Sequence, residues 1–242
     1  MEVNEYKKFL DVSGNIKNED FYIGTILFNE LYRKKFLEEF YKKFTELKKY
    51  DAKGTTLKPS RLKEVITFLN EKKIYMTCVC FTKQKINDNE ILIKNKIKTL
   101  TGKDRPLSFF IEKIAGVLYY YALRCQAKKN YCYDGAVCME SQIKIATVLN
   151  ELHKISKRDR YHFKLYPTLR TSEHMLKFAD YVASAGRKID WTYLDSLKYF
   201  ELIRPDIDDF DLNHAFRIQK LIDIQKKKTN SSSTTKKFIK LN

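Results

Sequence analysis

The N-terminal part of the chain contains two short runs of mostly apolar residues. Residues 6–12 and 21–29 are rich in Phe, Ile, Leu and Tyr, and a polar segment that starts with Ser13-Gly14 separates them. This pattern predicts two strands joined by a turn. Asp11 lies near the end of the first predicted strand, so an apolar segment carries a carboxylate just before the turn.

The segment that follows has the spacing of a helix. Tyr32, Phe36, Phe40 and Phe44 recur every four residues, which predicts an amphipathic helix over 31–50. The opposite face of this helix is basic, with Arg33, Lys34, Lys42 and Lys43. A second helix is predicted over 59–72, because proline is favoured in the first turn of a helix.

Strands and helices alternate along the rest of the chain. The predicted strands are 74–82, 130–137 and 161–166, and the predicted helices are 87–97, 108–127, 140–152 and one that starts at Thr171 or Ser172 and ends near 188. Two adjacent strands followed by this alternation predict an α/β fold, with a mixed sheet that has an antiparallel edge and is flanked by helices. The predicted divisions are an α/β domain over 1–190, a C-terminal extension over 191–225 and a flexible lysine-rich tail over 226–242.

Composition narrows the class of protein. A chain of 242 residues that is 43% hydrophobic can bury a sizeable core. No apolar run approaches the roughly 18–20 residues of a membrane helix, and the charged N-terminus does not resemble a signal peptide. We therefore expect a cytoplasmic protein without a membrane segment. The five cysteines form no Cys-x-x-Cys pair, which favours free thiols over a zinc site.

The formal net charge of +17 favours an anionic partner, of which nucleic acid is the commonest. An alternative is that the excess of lysine is only compositional, as in proteins from AT-rich genomes or hot habitats.

Aspartates at unusual positions are the candidates for chemistry. Asp11 and Asp134 lie near the ends of predicted strands, and Asp180 lies in an apolar stretch of the last core helix. Asp51 is in a turn, close to Lys53. If these carboxylates converge, their mutual repulsion favours a divalent cation, and Mg²⁺ or Mn²⁺ prefers such oxygen ligands. Each aspartate also has a structural alternative, as a turn former or as the partner of a lysine.

Two sequence motifs resemble those of an uncharacterised prokaryotic and phage family that has an RNase H-like fold. The family begins with an Asp-Glu-Ser-Gly strand end that leads into an apolar strand, and FLDVSG followed by FYIGTILF resembles it, with Val12 in place of the glutamate. The segment HMLKFADYVASAGRK resembles the family's C-terminal helix with its Ala-Asp pair. The turn DAKG resembles a loop that carries an acidic residue and often a lysine.

The resemblance implies an RNase H-like fold in which Asp11, Asp134 and Asp180 are metal ligands. Asp51 is a further candidate, and Lys53 would position a phosphate. The first hypothesis is therefore a nuclease or related phosphoryl-transfer enzyme that uses Mg²⁺ or Mn²⁺ and acts on DNA or RNA. Lys177 and Arg187 are further candidates for phosphate contact in this hypothesis.

Two other hypotheses stay open at this stage. One is a non-catalytic protein that binds nucleic acid on the same fold, which the valine at position 12 favours. The other is a structural or interaction protein whose basic character is only compositional.

Overall fold

The computed structural model describes residues 6–14, 20–48, 52–102, 118, 122, 135–140, 163–168 and 174–205. These residues form a mixed α/β structure around a six-stranded sheet. The strands are β1 (Tyr6–Ser13), β2 (Phe21–Asn29), β3 (Tyr75–Phe81), β4 (Gly135–Glu140), β5 (Phe163–Thr168) and β6 (Phe200–Ile203). The helices are α1 (Arg33–Lys43), α2 (Pro59–Glu71), α3 (Lys83–Asp88), α4 (Glu90–Thr101), α5 (Leu176–Lys188) and α6 (Trp191–Asp195).

The sheet combines an antiparallel half with parallel neighbours. Its strand order is β5-β4-β1-β2-β3-β6. β2 is antiparallel to both β1 and β3, whereas β4 is parallel to β1, β5 is parallel to β4, and β6 is parallel to β3. β1 and β3 are therefore the two strands at which antiparallel and parallel parts of the sheet meet.

Alternating side chains of β1 divide the core into two layers. Phe9 belongs to the apolar cluster that includes residues of α1, α2 and α5. Its neighbour Lys8 points to the other face, as successive residues of a strand do. There Lys8 is fully buried and its Nζ donates to the Ala122 carbonyl at 3.2 Å. The sheet is thus covered on both faces.

Helix α5 lies unusually close to the sheet, because its path crosses a residue without a side chain. A Cβ atom at Gly24 in β2 would overlap the Ala179 carbonyl oxygen and the Ala183 nitrogen. At Gly186, further along the helix, a Cβ atom would lie 3.2 Å from the Tyr22 ring. Small residues on the helix and on the strand therefore set the distance between the two layers.

Phenylalanine rings fill the space between α1, α2 and α5. Phe40 is the centre of this group, with its ring 4.8 Å from those of Phe44 and Phe178 and 5.7 Å from that of Phe68. Most of these pairs have tilted or edge-to-face geometry, which aromatic quadrupoles favour. The four-residue spacing seen in the sequence of α1 is the spacing of rings that face this cluster.

The sequence predicted most of these elements. β1, β2, β3 and α2 are within a residue or so of their predicted bounds, and the predicted strand 161–166 is β5, displaced by two residues. The predicted helix 31–50 is interrupted: a 3-10 turn, Glu30–Tyr32, precedes α1, and a second, Thr45–Lys48, follows it. The predicted helix 87–97 is replaced by two helices, α3 and α4.

One predicted strand has different bounds in the structure. The strand predicted over 130–137 is β4, which begins at Gly135 and ends at Glu140. Beyond residue 190, α6 leads into β6, and β6 pairs with β3 at the edge of the sheet. The tail over 226–242, the helix over 140–152 and most of the helix over 108–127 lie outside the described residues. Within the described part of the chain, no helix has the length and apolar character to cross a membrane.

We predict that Gly24→Ala destabilises the protein strongly. The added methyl group would overlap the backbone of α5, and relief requires the helix to move away from the sheet. We expect a loss of about 3 kcal/mol or more, at or beyond the upper end of overpacking effects, measured by urea unfolding. Gly102→Ala is the control: its site is open, and only its left-handed φ of 66° opposes the change, at a cost of roughly 1 kcal/mol. Equal losses for the two variants would contradict the close approach.

Candidate functional site

Asp11 is a buried carboxylate near the carboxyl end of β1. Only 2% of its surface is exposed, and its Oδ1 accepts a hydrogen bond from the Val12 N–H at 2.7 Å. In the antiparallel register Asp11 is directly opposite Gly24, so its side chain is on the face of the sheet that α5 covers. Asp11 is thus one strand spacing, about 5 Å, from the point where α5 touches the sheet.

Ser13 lies on the same face of β1, two residues beyond Asp11. It is 2% exposed, and its Oγ has no hydrogen-bond partner among the described residues. A buried polar atom without a partner is uncommon in folded proteins. The carboxyl end of β1 therefore offers two neighbouring oxygen-bearing side chains, although the sequence prediction included only Asp11.

Tyr22 and Asp20, at the start of β2, lie at the same end of the sheet as Asp11 and Ser13. Tyr22 is opposite Ser13 in the register, and its hydroxyl donates to Asp20 Oδ2 at 3.4 Å. Burial, together with the negative charge of Asp20, raises the pKa of Tyr22 well above its usual range. Asp20 Oδ1 also accepts from the Lys83 N–H at 2.8 Å, so the structure uses this carboxylate to join β2 to the start of α3.

Asp180 is the second buried carboxylate, and it receives a backbone hydrogen bond. It is 3% exposed, and its Oδ2 accepts from the Gly54 N–H at 2.7 Å. A Cβ atom at Gly54 would lie 2.6 Å from Ser184 Oγ and 2.9 Å from the Asp180 carbonyl oxygen. The turn that contains DAKG is therefore packed directly against α5, and glycine permits this contact.

Other side chains of α5 bind the backbone of the same connection between α1 and α2. Tyr181 donates to the Ala52 carbonyl at 3.0 Å, and Lys188 Nζ donates to the carbonyls of Gly54, Thr55 and Leu57. With the carboxylate of Asp180, these contacts hold the loop over 52–57 against the helix. Lys53 is an exposed residue of this loop, next to Gly54, while Asp51 lies outside the described residues.

Lys177 and Arg187, two further residues of α5 considered for phosphate contact, differ in exposure. Lys177 is 3% exposed, and its Nζ donates to the Leu47 carbonyl at 2.8 Å. This ammonium group is buried in the protein interior, where it binds the backbone of the 3-10 turn Thr45–Lys48 that follows α1. Arg187 is exposed, in the last turn of α5.

The register of the parallel strands points to an acidic residue of β4 other than the predicted Asp134. Lys7 pairs with Ala136 and Leu10 with Met139, and one further step of this register sets Asp11 level with Glu140. Gly135 lies at the other end of β4, roughly 17 Å away at about 3.3 Å per residue. Asp134, the residue before Gly135, is outside the described part of the chain and stays a prediction. Glu140 is the acidic residue whose place in the sheet is beside Asp11.

The structure therefore brings some of the predicted residues to one region. Asp11 is one strand spacing from Gly24, and Asp180 follows Ala179, whose carbonyl contacts Gly24. The two carboxylates flank the same contact between α5 and the sheet. Among the described residues, no group of three or more His, Cys, Asp or Glu side chains has the arrangement of a metal site. Asp51 and Asp134 lie outside that part of the chain.

Sequence reasoning missed Ser13 and Glu140 for different reasons. Ser13 was taken as a turn residue, although its place two residues after Asp11 puts both side chains on one face of a strand. Glu140 could not be found from local pattern, because the pairing of β4 with β1 is set by contacts across a long sequence separation.

Exposed lysines surround the first helix. Lys34, Lys35, Lys42, Lys43 and Lys48 are all exposed, whereas Arg33 is partly buried and pairs with Glu30 at 2.7 Å. Lys34, Lys42 and Lys48 line a shallow groove together with Tyr41. The predicted basic face of α1 is present on the surface.

The two cysteines of β3 are free thiols on the same face of the strand, as their alternation predicted. Their sulfur atoms are 3.8 Å apart. A hydrogen bond with Cys80, and then burial, raises the pKa of Cys78, so these sulfurs are unreactive core atoms.

Comparisons with known proteins give no match: no family model fits the chain, and no curated protein or solved structure is significantly similar to it.

We predict that Asp180 contributes to stability through its bond to Gly54. Asp180→Ala leaves the buried Gly54 N–H without this acceptor, and we expect a loss of about 1.5–3 kcal/mol in the free energy of unfolding. Asp180→Asn retains a carbonyl oxygen that can accept the same bond, so its loss is expected to be smaller. Urea unfolding of the two variants checks this order. Equal and small losses would mean that the loop does not require this acceptor.

Proposed function

We propose that this protein is a divalent-metal-dependent nuclease, or a related phosphoryl-transfer enzyme, with an RNase H-like fold. The observation that carries the proposal is Asp11: a carboxylate buried near the carboxyl end of β1, the strand that pairs antiparallel with β2 and parallel with β4. Burying a carboxylate is costly, and a bound cation is one of the interactions that compensate this cost.

The strand arrangement supports the RNase H-like part of the proposal. That fold has a meander of three antiparallel strands and two further strands, parallel to the first, on its other side. β1, β2 and β3 form such a meander, and β4 and β5 lie parallel to β1 beyond it. The closing helix α5 crosses β1 and β2 and carries Asp180. The sixth strand adds to this arrangement at the β3 edge.

The chemistry of the oxygen donors near Asp11 supports a hard cation in this proposal. Asp11 and Asp180 supply carboxylate oxygens, Ser13 supplies a buried hydroxyl without a described partner, and Glu140 is level with Asp11. Oxygen donors of this kind suit Mg²⁺ or Mn²⁺. In the proposal Asp11 and Asp180 hold the cation, with Glu140 of β4 and with Asp51. A bound divalent cation would stabilise negative charge on the phosphate and lower the pKa of a bound water.

Nucleic acid is the proposed substrate because of charge. The chain carries a formal net charge of +17, and lysines are exposed along α1 and in the loop at Lys53. A loop held firmly to α5 can keep the ammonium group of Lys53 near the site, where it would contact a phosphate. Such contacts give affinity that does not depend on base sequence. The proposed location is the reducing cytoplasm, where Cys78 and Cys80 stay as thiols.

A second candidate function is a non-catalytic nucleic-acid-binding protein on the same fold. The bond from Gly54 to Asp180 favours it, because an oxygen occupied by a backbone N–H is a weaker candidate for metal coordination. Val12, in place of the family's glutamate, favours it too. In this alternative Asp180 holds the loop and the basic surface binds the ligand.

The decisive prediction concerns cleavage. With Mn²⁺ or Mg²⁺ the purified protein should cut a nucleic acid from a panel of single- and double-stranded DNA and RNA. Asp11→Asn should lower the rate by about a hundredfold or more, since even groups that only orient metal ligands are worth 10–100-fold. Binding to the same substrate in EDTA should be largely unchanged. A panel without any metal-dependent cleavage, with intact binding, would favour the non-catalytic alternative.

A matched pair of variants tests which acid from the β4 region takes part. The register predicts that Glu140→Gln lowers the cleavage rate as Asp11→Asn does. Asp134→Asn, measured in parallel, tests the position that the sequence suggested. If Glu140→Gln cleaves like the wild type, Glu140 is not a ligand. If Asp134→Asn alone lowers the rate, the pairing of β4 with β1 differs from the register of Ala136–Met139 given above.

Metal binding can also be measured without an activity assay, from the melting temperature of the protein. A cation at about 100 times its dissociation constant adds roughly 2.7 kcal/mol to the native state, which for a chain of this length raises the melting temperature by several degrees. We expect Mn²⁺ to raise the melting temperature of the wild type, and to raise that of Asp11→Asn much less. Equal shifts in the two proteins would mean that Asp11 is not a ligand.

A further inference from the structure

A cavity of about 360 Å³ opens at the other end of the sheet from Asp11. It lies where β1 begins, β2 ends and β3 begins, with Tyr6, Asn29 and Tyr75 in its wall. Tyr6 is about 17 Å from Asp11 along β1, at roughly 3.4 Å per residue. The cavity is therefore separate from the candidate site, and its occupancy does not depend on the proposed nuclease function.

Aromatic side chains make up much of the lining. Phe28 and Phe36 are buried at the base of the cavity, with their ring centroids 5.0 Å apart. Tyr32 also lines the cavity and is 62% exposed. A large exposed aromatic beside a cavity provides a flat surface on which a planar ring can stack.

The rim of the cavity is basic. Lys35, Lys72 and Lys73 line it together with one acidic residue, Glu39. Glu39 accepts a hydrogen bond from Lys72, and this bond lowers the pKa of the glutamate. The opposite charges of Glu39 and Lys72 therefore offset each other. Lys35 and Lys73 leave an excess of positive charge at the cavity, which suits an anionic ligand.

Lys73 has a backbone conformation that normally selects glycine. It follows the end of α2 with φ of 58°, and the next residue, Ile74, donates to the Leu69 carbonyl at 3.0 Å and closes the helix. Glycine is the usual residue at this position, since a side chain in the left-handed region is unfavourable. The chain thus has a lysine at the cavity rim at some cost in stability.

We propose that this cavity binds a nucleotide. The base stacks on Tyr32 over the aromatic floor, and the phosphate contacts Lys35 and Lys73. A cavity of this size falls in the range of small-molecule sites, and an aromatic platform with lysines beside it is how proteins hold single nucleotides of a strand. The ligand is either a free nucleotide or one unit of a single-stranded nucleic acid, which share this chemistry.

The test is calorimetric titration of the full chain with 5′-AMP and, separately, with short single-stranded oligoadenylate. EDTA is present, so that metal-dependent cleavage cannot consume the probe. Tyr32→Ala should weaken binding about tenfold, as expected for one stacked base. Its matched control is Leu31→Ala, a neighbouring exposed apolar residue outside the cavity lining, which should bind as the wild type does.

Lys73→Gly separates binding from stability. Glycine adopts the left-handed conformation without strain, so this variant should melt at the same temperature as the wild type or higher, while binding several-fold more weakly. Lys35→Ala should also weaken binding, and Lys63→Ala, which changes an exposed lysine of α2 that neither lines the cavity nor belongs to the basic face of α1, should not.

Weakened binding of 5′-AMP by the cavity variants assigns the cavity to free nucleotides. Weakened binding of the oligoadenylate alone assigns it to a unit of a strand. The proposal is overturned if neither probe binds the wild type, or if the cavity variants bind as the wild type does. It is also overturned if Lys63→Ala weakens binding as much as Lys35→Ala, because the lysines would then act only as a diffuse basic surface.

Discussion

A helix can lie this close to a sheet only where the sheet lacks a side chain, and Gly24 provides that gap beneath α5. The contact places the Ala179 carbonyl and the Ala183 nitrogen directly over the strand. It leaves Asp11, the cross-strand neighbour of Gly24, in the narrow space beside the helix. The burial of Asp11, the position of Asp180 and the packing of the loop against α5 all follow from this small distance between layers.

Polar side chains along one side of α5 hold the connection between α1 and α2 in place. Lys177, Asp180, Ser184 and Lys188 recur at helical spacing on one side of the helix. Three of them bind backbone groups of the connection between α1 and α2. Hydrogen bonds to charged groups are stronger than those between neutral ones, so this stripe adds to the apolar contacts of Leu47 and Leu57 in fixing the connection. A structural role for Asp180 and a place in a metal site both remain compatible with its two carboxylate oxygens.

Local pattern predicted the elements whose own residues determine them. The alternation in β1 and β2, the four-residue spacing in α1 and the proline at the start of α2 each report burial on one face of a single element. The strand order and the register of β4 depend on which distant segments pair. Neither can be deduced from the periodicity of a single segment. That is why Asp11 was found from its place in a strand, while Glu140 required the pairing of Leu10 with Met139. The cavity at Tyr32 was missed for the same reason, since β1, α1 and the end of α2 contribute to it together.

The place of β6 at the edge beside β3 has a consequence for the way the chain reaches this structure. β1, β2 and β3 are close in sequence and can pair early, but their apolar face is covered by α5 and their outer edge by β6, both of which come much later in the chain. Contacts between distant segments slow folding, and exposed apolar strands in a partly folded chain promote aggregation. During synthesis α1 and α2 can pack against this face early, but the part that α5 covers stays exposed until most of the chain has left the ribosome.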